Sequence, residues 1–381
     1  MNFAFVCHLD PELVTTWSGT PLSIVKALRM LGHSVTVVCP KDSLWHLEAR
    51  IKGRIYKHFA GKVYHAGRSP SLLRQRARAF NKQLQELSSI DYILTIFPVD
   101  AAYLKTEKPI AVIHDATWFQ LLDFYPGLER SKLANESVAD GYAMDLAALR
   151  KCKKAVYFST WASTSAIRDM HCEQHKVRTI APGANLTVRP ARSQALQHLK
   201  TRSKDRCQLL FIGQEWERKG AGKAVTIAKC LNEMGTPTEL NIVGCPAPEN
   251  EVMPEFVRIH GFLNKNSAQD RQTIERLFAS SHFFVLPTTA DCTPIVLCEA
   301  AFYGLPSLSH DVGGVATIVQ SGKTGQLFSL TSSPQEWAQW LRDIYADAKT
   351  YSGFAERSIE DAHARLNWES FGRELVNFLR S

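Results

Sequence analysis

The chain has 381 residues, 45% of them hydrophobic and 22% charged, with 17 prolines and 21 glycines. This composition excludes a disordered, collagen-like or fibrous protein, and the length predicts two globular domains. No apolar run approaches the roughly 20 residues that cross a bilayer, and the opening segment lacks the basic start of a signal peptide. The nine cysteines form no C-x-x-C pair, so we expect neither zinc nor disulfides, and a reducing cytoplasmic location.

The positive charge of the chain lies in its first half. Residues 1–190 contain 25 Lys and Arg against 16 Asp and Glu, whereas residues 191–381 contain 20 against 21. The stretch 50–82 contains ten of these cations and no acid. Such a stretch suits an anionic membrane surface or a nucleic acid, but a solvated helix face has the same composition.

Two strand–helix–strand units are predicted, about two hundred residues apart. The first has strand 2–9, a helix with Thr20 as its N-cap and Pro21 as its first residue, and strand 34–39. The second has strand 208–213, helix 221–234 and strand 239–243. Strands that alternate with helices of this length form parallel sheets with helical crossovers. The predicted fold class is therefore α/β, with two doubly wound Rossmann-like domains facing each other across a cleft.

Proline and glycine positions set the predicted domain limits. We place the first domain at 1–188 and the second at 189–355, with a C-terminal helix in 356–381 that packs back towards the first domain.

A basic helix is predicted over 70–87 within the first domain. Its apolar residues Leu73, Ala77, Phe80, Leu84 and Leu87 share one side, and its polar positions include Arg74, Arg78 and Lys82. The helix either packs on the domain with a solvated basic face or docks on an anionic membrane. Nucleic-acid binding is not expected, because no recognised module or aromatic platform accompanies the charge.

The segment 281–306 holds two acids beside a predicted helix start. Strand 281–287 leads through a loop to Thr293 and Pro294, interpreted as the cap and first residue of helix 295–303. The backbone at Pro294, Ile295 and Val296 then lines a helix N-terminus, which suits an anionic or hydroxyl-rich ligand. Asp291 and Glu299 can face that ligand together, because helical side chains lean towards the N-terminus.

A second loop, Gln214-Glu-Trp-Glu-Arg218-Lys219-Gly220, follows the strand that ends at Gly213. The planar guanidinium of Arg218 and the point charge of Lys219 suit a diphosphate. A nucleotide sugar has a diol on either side of its diphosphate. Two carboxylates that bind diols and two cations that bind a diphosphate therefore predict a site for a nucleotide sugar. A nicotinamide or flavin dehydrogenase is disfavoured, because no G-x-G-x-x-G follows the first strand.

These segments resemble family 4 retaining glycosyltransferases of the GT-B fold. The run Ala290-Asp-Cys-Thr-Pro-Ile-Val-Leu-Cys-Glu299 is similar to the acid-x7-acid signature of that family, and 211–220 is similar to its cation-bearing loop. In the first half, Trp17-Ser-Gly19-Thr-Pro21 is similar to its glycine-bearing first loop, and His114-Asp-Ala-Thr117 to its histidine segment. Asp291 stands where the family usually has glutamate, and the usual arginine before the lysine is replaced by 214–217.

The resemblance implies a role for each of these residues. Glu299 would bind the nucleotide ribose, Asp291 the hydroxyls of the donor sugar, and Arg218 with Lys219 the diphosphate. Gly19 would let the backbone approach the phosphates, and His114 would lie at the reacting centre on the acceptor side. The remaining donor-binding residues would be Gly213, Thr293, Pro294, Ile295 and Val296.

The implied activity is metal-independent, retaining transfer of a hexose-type sugar from a UDP- or GDP-linked donor to a hydroxyl of a glycan or lipid-linked acceptor. It would serve polysaccharide or glycolipid synthesis, in the cytoplasm or at the inner membrane face, with no cofactor besides the donor and no nucleic acid. Two alternatives remain. A nucleotide-sugar epimerase of the same fold would convert the donor without an acceptor, and a non-catalytic scaffold would bind donor no differently without Glu299.

Overall fold

A computed structural model describes residues 1–13, 16–40, 46–249 and 251–381. They form two compact units, one of Met1–Ala181 with Trp368–Ser381 and the other of Pro182–Asn367. The division between the units therefore lies between Ala181 and Pro182, before the predicted boundary at 188. No helix in these ranges is long and apolar enough to span a bilayer.

The first unit contains a six-stranded parallel sheet in the order β2-β1-β3-β4-β5-β6. Its strands are β1 (Asn2–Val6), β2 (Ser34–Val38), β3 (Tyr92–Thr95), β4 (Ile110–His114), β5 (Lys154–Tyr157) and β6 (Val177–Thr179). Its helices include α1 (Thr20–Met30), α2 (His46–Ala60), α3 (Pro70–Gln85), α4 (Pro98–Ala101), α5 (Trp118–Leu121), α6 (Asn135–Lys151) and α7 (Thr160–Arg168). Strands β3, β4 and β5 are buried at every residue, as expected for central strands of a parallel sheet.

The second unit contains another six-stranded parallel sheet, in the order β12-β11-β10-β7-β8-β9. Its strands are β7 (Cys207–Ile212), β8 (Thr238–Val243), β9 (Val257–Ile259), β10 (Phe283–Leu286), β11 (Ser307–His310) and β12 (Gly325–Phe328). Its helices are α8 (Arg192–Thr201), α9 (Trp216–Lys219), α10 (Ala221–Glu233), α11 (Ala268–Ser280), α12 (Ile295–Phe302), α13 (Val315–Ile318), α14 (Pro334–Ala346) and α15 (Ala348–Ala364). The prediction of two doubly wound α/β domains is confirmed.

The strand order of the second sheet determines where a ligand can bind. Counted from β7, the six strands follow the dinucleotide-binding order 3-2-1-4-5-6, which reverses direction between β7 and β10. In such sheets the crevice lies outside the carboxyl ends of the two strands at the reversal. The segments that follow β7 and β10 are therefore the expected binding segments of this unit.

The C-terminal helix α16 (Trp368–Arg380) belongs to the first unit. It packs on α1, and a Cβ atom at Gly372 would lie 2.8 Å from a methyl group of Leu31. Trp368 and Phe371 meet the ring of Phe158 edge-on. Of the predicted segment 356–381, the part within α15 lies in the second unit.

The predicted basic helix is present as α3, which ends at Gln85 instead of residue 87. Leu73, Ala77 and Phe80 are buried, while the predicted polar residues Arg74, Arg78 and Lys82 are exposed. Arg76 points to the buried side, where its Nε and Nη1 atoms have no hydrogen-bond partner in the described part of the chain. Arg76 therefore does not contribute to the exposed basic surface.

Candidate functional site

The predicted donor residues lie in the two segments at the strand reversal of the second sheet. Gly213 and α9 follow β7, and the loop 287–294 follows β10. Gly220, at the end of α9, has a φ of 80°, and a Cβ atom there would lie only 2.2 Å from the carbonyl oxygen of Pro287. The two segments approach each other this closely because position 220 has no side chain.

Arg218 connects the two segments through both its backbone and its side chain. Its carbonyl oxygen accepts hydrogen bonds from the amide of Thr289 at 2.8 Å and the hydroxyl of Thr288 at 3.1 Å. Its Nη1 donates to the carbonyl of Ala290 at 2.7 Å, and its Nε donates to Glu215 at 2.9 Å. The bond from Arg218 lowers the pKa of the Glu215 carboxyl. In this structure the guanidinium holds the loop after β10 in place, and its binding of a diphosphate stays a prediction.

Lys219 and Asp291 contact each other directly. The Nζ atom of Lys219 is hydrogen-bonded to Oδ2 of Asp291, and the two side chains are only 16% and 9% exposed. Removing one member of a buried ion pair leaves an uncompensated charge, which is strongly unfavourable. The structure thus brings the expected diphosphate cation and the expected sugar-binding acid together.

The start of α12 differs from the prediction. Pro294 occupies the cap position, and the hydroxyl of Thr293 donates to the carbonyl of Cys292 at 2.5 Å instead of capping the helix. The prediction of Thr293 as N-cap is therefore wrong, because the helix begins one residue later than predicted, at Ile295. Pro294 has no N–H group, so the amides of the first turn that can face a ligand are those of Ile295 and Val296.

Glu299 is almost completely buried in α12, with a side-chain exposure of 2%. Its Oε1 accepts a hydrogen bond of 2.6 Å from the Nζ atom of Lys265, which lies in the segment between β9 and α11. Lys265 was not among the residues predicted from the sequence. A single lysine in a polar loop forms no motif, and only its position after a parallel strand could have pointed to it.

Two segments approach the backbone of Gly213 closely. A Cβ atom at Gly244, after β8, would lie 2.6 Å from the carbonyl oxygen of Gly213. A Cβ atom at Gly213 would lie 3.0 Å from the Cβ of Lys219. A larger residue at Gly213 would therefore press directly on Lys219.

The predicted residues of the first unit also cluster at a carboxyl edge. Trp17, Ser18 and Gly19 have successive positive φ angles of 44°, 55° and 80°, a costly backbone for residues other than glycine. Gly19 is the N-cap of α1, in place of the predicted Thr20, because its left-handed conformation ends this run. The Trp17 ring lies 5.4 Å from the ring of His114, the last residue of β4. The structure thus brings the Gly19 segment and His114 together.

His114 is buried, and this burial lowers the pKa of its imidazole to about 4. Its Nδ1 atom has no hydrogen-bond partner among the residues that the structure describes. The ring is therefore neutral at pH 7. Its Nδ1 atom lies 3.7 Å from Oδ1 of Asp115, too far for a hydrogen bond.

Comparison with known proteins links this geometry to a family. Residues 206–347, which contain every predicted donor residue of the second unit, match the family model "Glycosyl transferases group 1". A D-inositol 3-phosphate glycosyltransferase of Paenarthrobacter aurescens is 25% identical over 204 residues, covering 52% of this chain and 48% of that protein. The chain thus spans about half the length of the curated relatives it matches.

Solved structures of similar fold cover the whole chain. A sucrose-phosphate synthase from Thermosynechococcus elongatus has a TM-score of 0.70 at 16% identity, over 100% of this chain and 98% of that one. Anabaena HepE, in complex with UDP and glucose, has a TM-score of 0.63 at 14% identity, with full coverage of both chains. Residues 206–347 therefore match the family of glycosyl transferases group 1, and the chain has the GT-B fold.

Proposed function

We propose that the protein is a retaining glycosyltransferase that moves a hexose-type sugar from a nucleotide-sugar donor to a hydroxyl of a glycan or lipid-linked acceptor. The observation that carries the proposal is the pair of acid–lysine contacts, Lys219 with Asp291 and Lys265 with Glu299, in the segments around the strand reversal. UDP and glucose in the HepE structure support a UDP-hexose donor, and the inositol phosphate relative supports a hydroxyl acceptor.

In the proposed reaction, negative charge grows on the leaving phosphate, next to the positive groups of the second unit. The acceptor oxygen bonds to the anomeric carbon as the bond from that carbon to the phosphate oxygen breaks, and the phosphate keeps the electron pair. Lys219 and the backbone amides of Ile295 and Val296 stabilise the resulting charge, more strongly in the transition state than in the bound donor. The acceptor proton passes to a phosphate oxygen. Because Lys219 and these amides supply the positive groups at the leaving phosphate, we propose that the reaction proceeds without a metal.

Each remaining residue has a proposed task. Glu299 grips the ribose, Asp291 grips hydroxyls of the sugar, and Arg218 holds the loop that carries Asp291. In the first unit, neutral His114 hydrogen-bonds the acceptor side of the reaction through Nδ1, which has no hydrogen-bond partner among the described residues.

Release of nucleoside diphosphate from a panel of UDP-, GDP- and ADP-hexoses tests the proposed activity. We expect slow release from one donor family with water alone, and faster release when a glycan or polyprenyl-phosphate-linked sugar is added as acceptor. Conversion of the donor sugar to an epimer, with no nucleotide released, would indicate the epimerase instead. Neither release nor conversion with any donor would contradict both enzymatic functions.

A second proposal concerns a cytoplasmic, peripheral location on an anionic membrane, where a lipid-linked acceptor would be found. Helix α2 exposes Ile51, Ile55 and Phe59 at 50%, 50% and 81%, which form one stripe at a spacing of four residues. Arg54 and Lys57 of the same helix are also exposed. An apolar stripe flanked by cations is typical of helices that lie in a bilayer interface, and it supports docking through the basic stretch 50–82.

Replacing Ile51, Ile55 and Phe59 together by serine should weaken membrane binding about tenfold or more, because three apolar side chains no longer leave water. Co-sedimentation with vesicles of equimolar phosphatidylglycerol and phosphatidylcholine measures the effect. The control carries serine at Val188 and Val252, exposed apolar residues of the second unit, and should bind like the wild type. Equal binding by all three proteins would refute docking through α2.

A further inference from the structure

We propose that Lys265 is a positioning residue that fixes the carboxylate of Glu299 for the ribose of the donor. This inference rests on the proposed function, because it assumes that Glu299 binds a nucleotide. It adds a residue outside the segments that carry the predicted donor residues.

The backbone of Lys265 is held in place by the first turn of α11. Nη1 of Arg271 donates to the carbonyl oxygens of Lys265 at 3.0 Å and Asn266 at 3.1 Å. The amide of Asn264 donates to Asp270 at 2.8 Å, and Ser267 caps the helix. Lys265 therefore projects from a braced loop, so its ammonium group has a defined location.

Glu299 needs a cation at that location. A carboxylate that is 2% exposed is costly to keep ionised unless it is paired. The Lys265 side chain is 39% exposed, so its ammonium keeps part of its hydration and the pair costs less desolvation than a fully buried one. The lysine bonds Oε1 and thereby sets the orientation of the carboxylate, which leaves Oε2 for a diol.

Arg365, a cation that acts electrostatically on the neighbouring Cys298, forms its hydrogen bonds with other groups. Arg365, at the end of α15, bonds Asp361 at 2.5 Å and donates to the carbonyl oxygens of Thr317 and Ile318. Within the described residues, Lys265 is the side chain that hydrogen-bonds Glu299. Loss of Lys265 would leave the carboxylate buried without its partner.

The proposal predicts an effect that depends on the ribose hydroxyls of the ligand. Lys265→Met should weaken binding of the preferred nucleoside diphosphate about tenfold, since hydrogen bonds to charged groups contribute this much. It should leave binding of the corresponding 2′,3′-dideoxynucleoside diphosphate within about twofold, because that ligand offers no diol to Glu299. Lys265→Arg should restore most of the affinity for the ribose nucleotide.

Titration calorimetry of the full chain with both nucleotides measures these effects. The matched control is Lys229→Met, which removes an exposed lysine paired to Glu233 at 3.8 Å in the same unit and should change neither affinity. Equal losses for both nucleotides in Lys265→Met would mean a general structural role and overturn the proposal, as would unchanged or tighter binding. In either case wild-type binding leaves the proposed function intact, whereas a wild type that binds no nucleoside diphosphate refutes both.

Discussion

Lys219→Met is expected to lower kcat for sugar transfer about 10²- to 10³-fold, the usual loss when one fixed group that stabilises transition-state charge is removed. The ammonium of Lys219 is the cation held beside Asp291, and methionine keeps most of its length without the charge. The donor KM should change much less than kcat, because the charge on the phosphate grows as the bond breaks. Steady-state kinetics with the donor identified by nucleotide release measures both constants.

A second variant separates the catalytic role of Lys219 from its pairing with Asp291. Lys219→Met leaves a buried carboxylate without its cation, and this could disturb the loop. The double variant Lys219→Met, Asp291→Asn removes both charges, so we expect it to unfold at a temperature closer to that of the wild type while kcat stays low. If the double variant regains wild-type kcat, Lys219 does not stabilise the leaving phosphate.

Gly220→Ala is expected to destabilise the second unit by about 3 kcal/mol or more. The Cβ of the alanine would collide with the Pro287 carbonyl, and the residue would also have to adopt a left-handed backbone conformation. The chain offers a matched control in Gly235. Its φ is 79° against 80° at Gly220, and a Cβ atom there meets nothing within 4 Å. Gly235→Ala should therefore cost only about 1 kcal/mol, the backbone penalty alone.

Urea unfolding of the two glycine variants, followed by tryptophan fluorescence, measures this difference. The close approach of Gly220 to Pro287 also positions Arg218 and Lys219. Gly220→Ala should therefore lose donor binding at urea concentrations below those that unfold it. Equal destabilisation by the two substitutions would show that the approach of the two segments is not as close as described.

The local pattern of the sequence predicted the sheets and the main acids of the site. The periodicity of apolar residues and the glycines that end helices and strands are properties of short segments. Strand β10, helix α12 and the spacing of Asp291 and Glu299 could therefore be predicted directly from the sequence. The amino acids around Lys219 could also be recognised as a cation-bearing loop after a strand. These features depend on few neighbours in the chain.

The rest depended on contacts between distant segments. Lys265 and Glu299 are 34 residues apart, and no spacing rule links a lysine after one strand to an acid in the helix after the next. Whether Thr293 or Pro294 occupies the cap position of α12 could not be decided from propensity alone. Arg76 is likewise buried although charged residues are ordinarily exposed, and only the packing of α3 determines its orientation.

The central claim is that the second unit binds the diphosphate nucleotide of a sugar donor through Glu299 and the loop of Lys219. Titration calorimetry of the wild type and Glu299→Ala with UDP, GDP and ADP tests it most directly. We expect the wild type to bind one of the three, and Glu299→Ala to bind it at least about tenfold more weakly because the ribose loses a charged hydrogen-bond acceptor. Equal affinity in the two proteins, or no binding by the wild type, would contradict it.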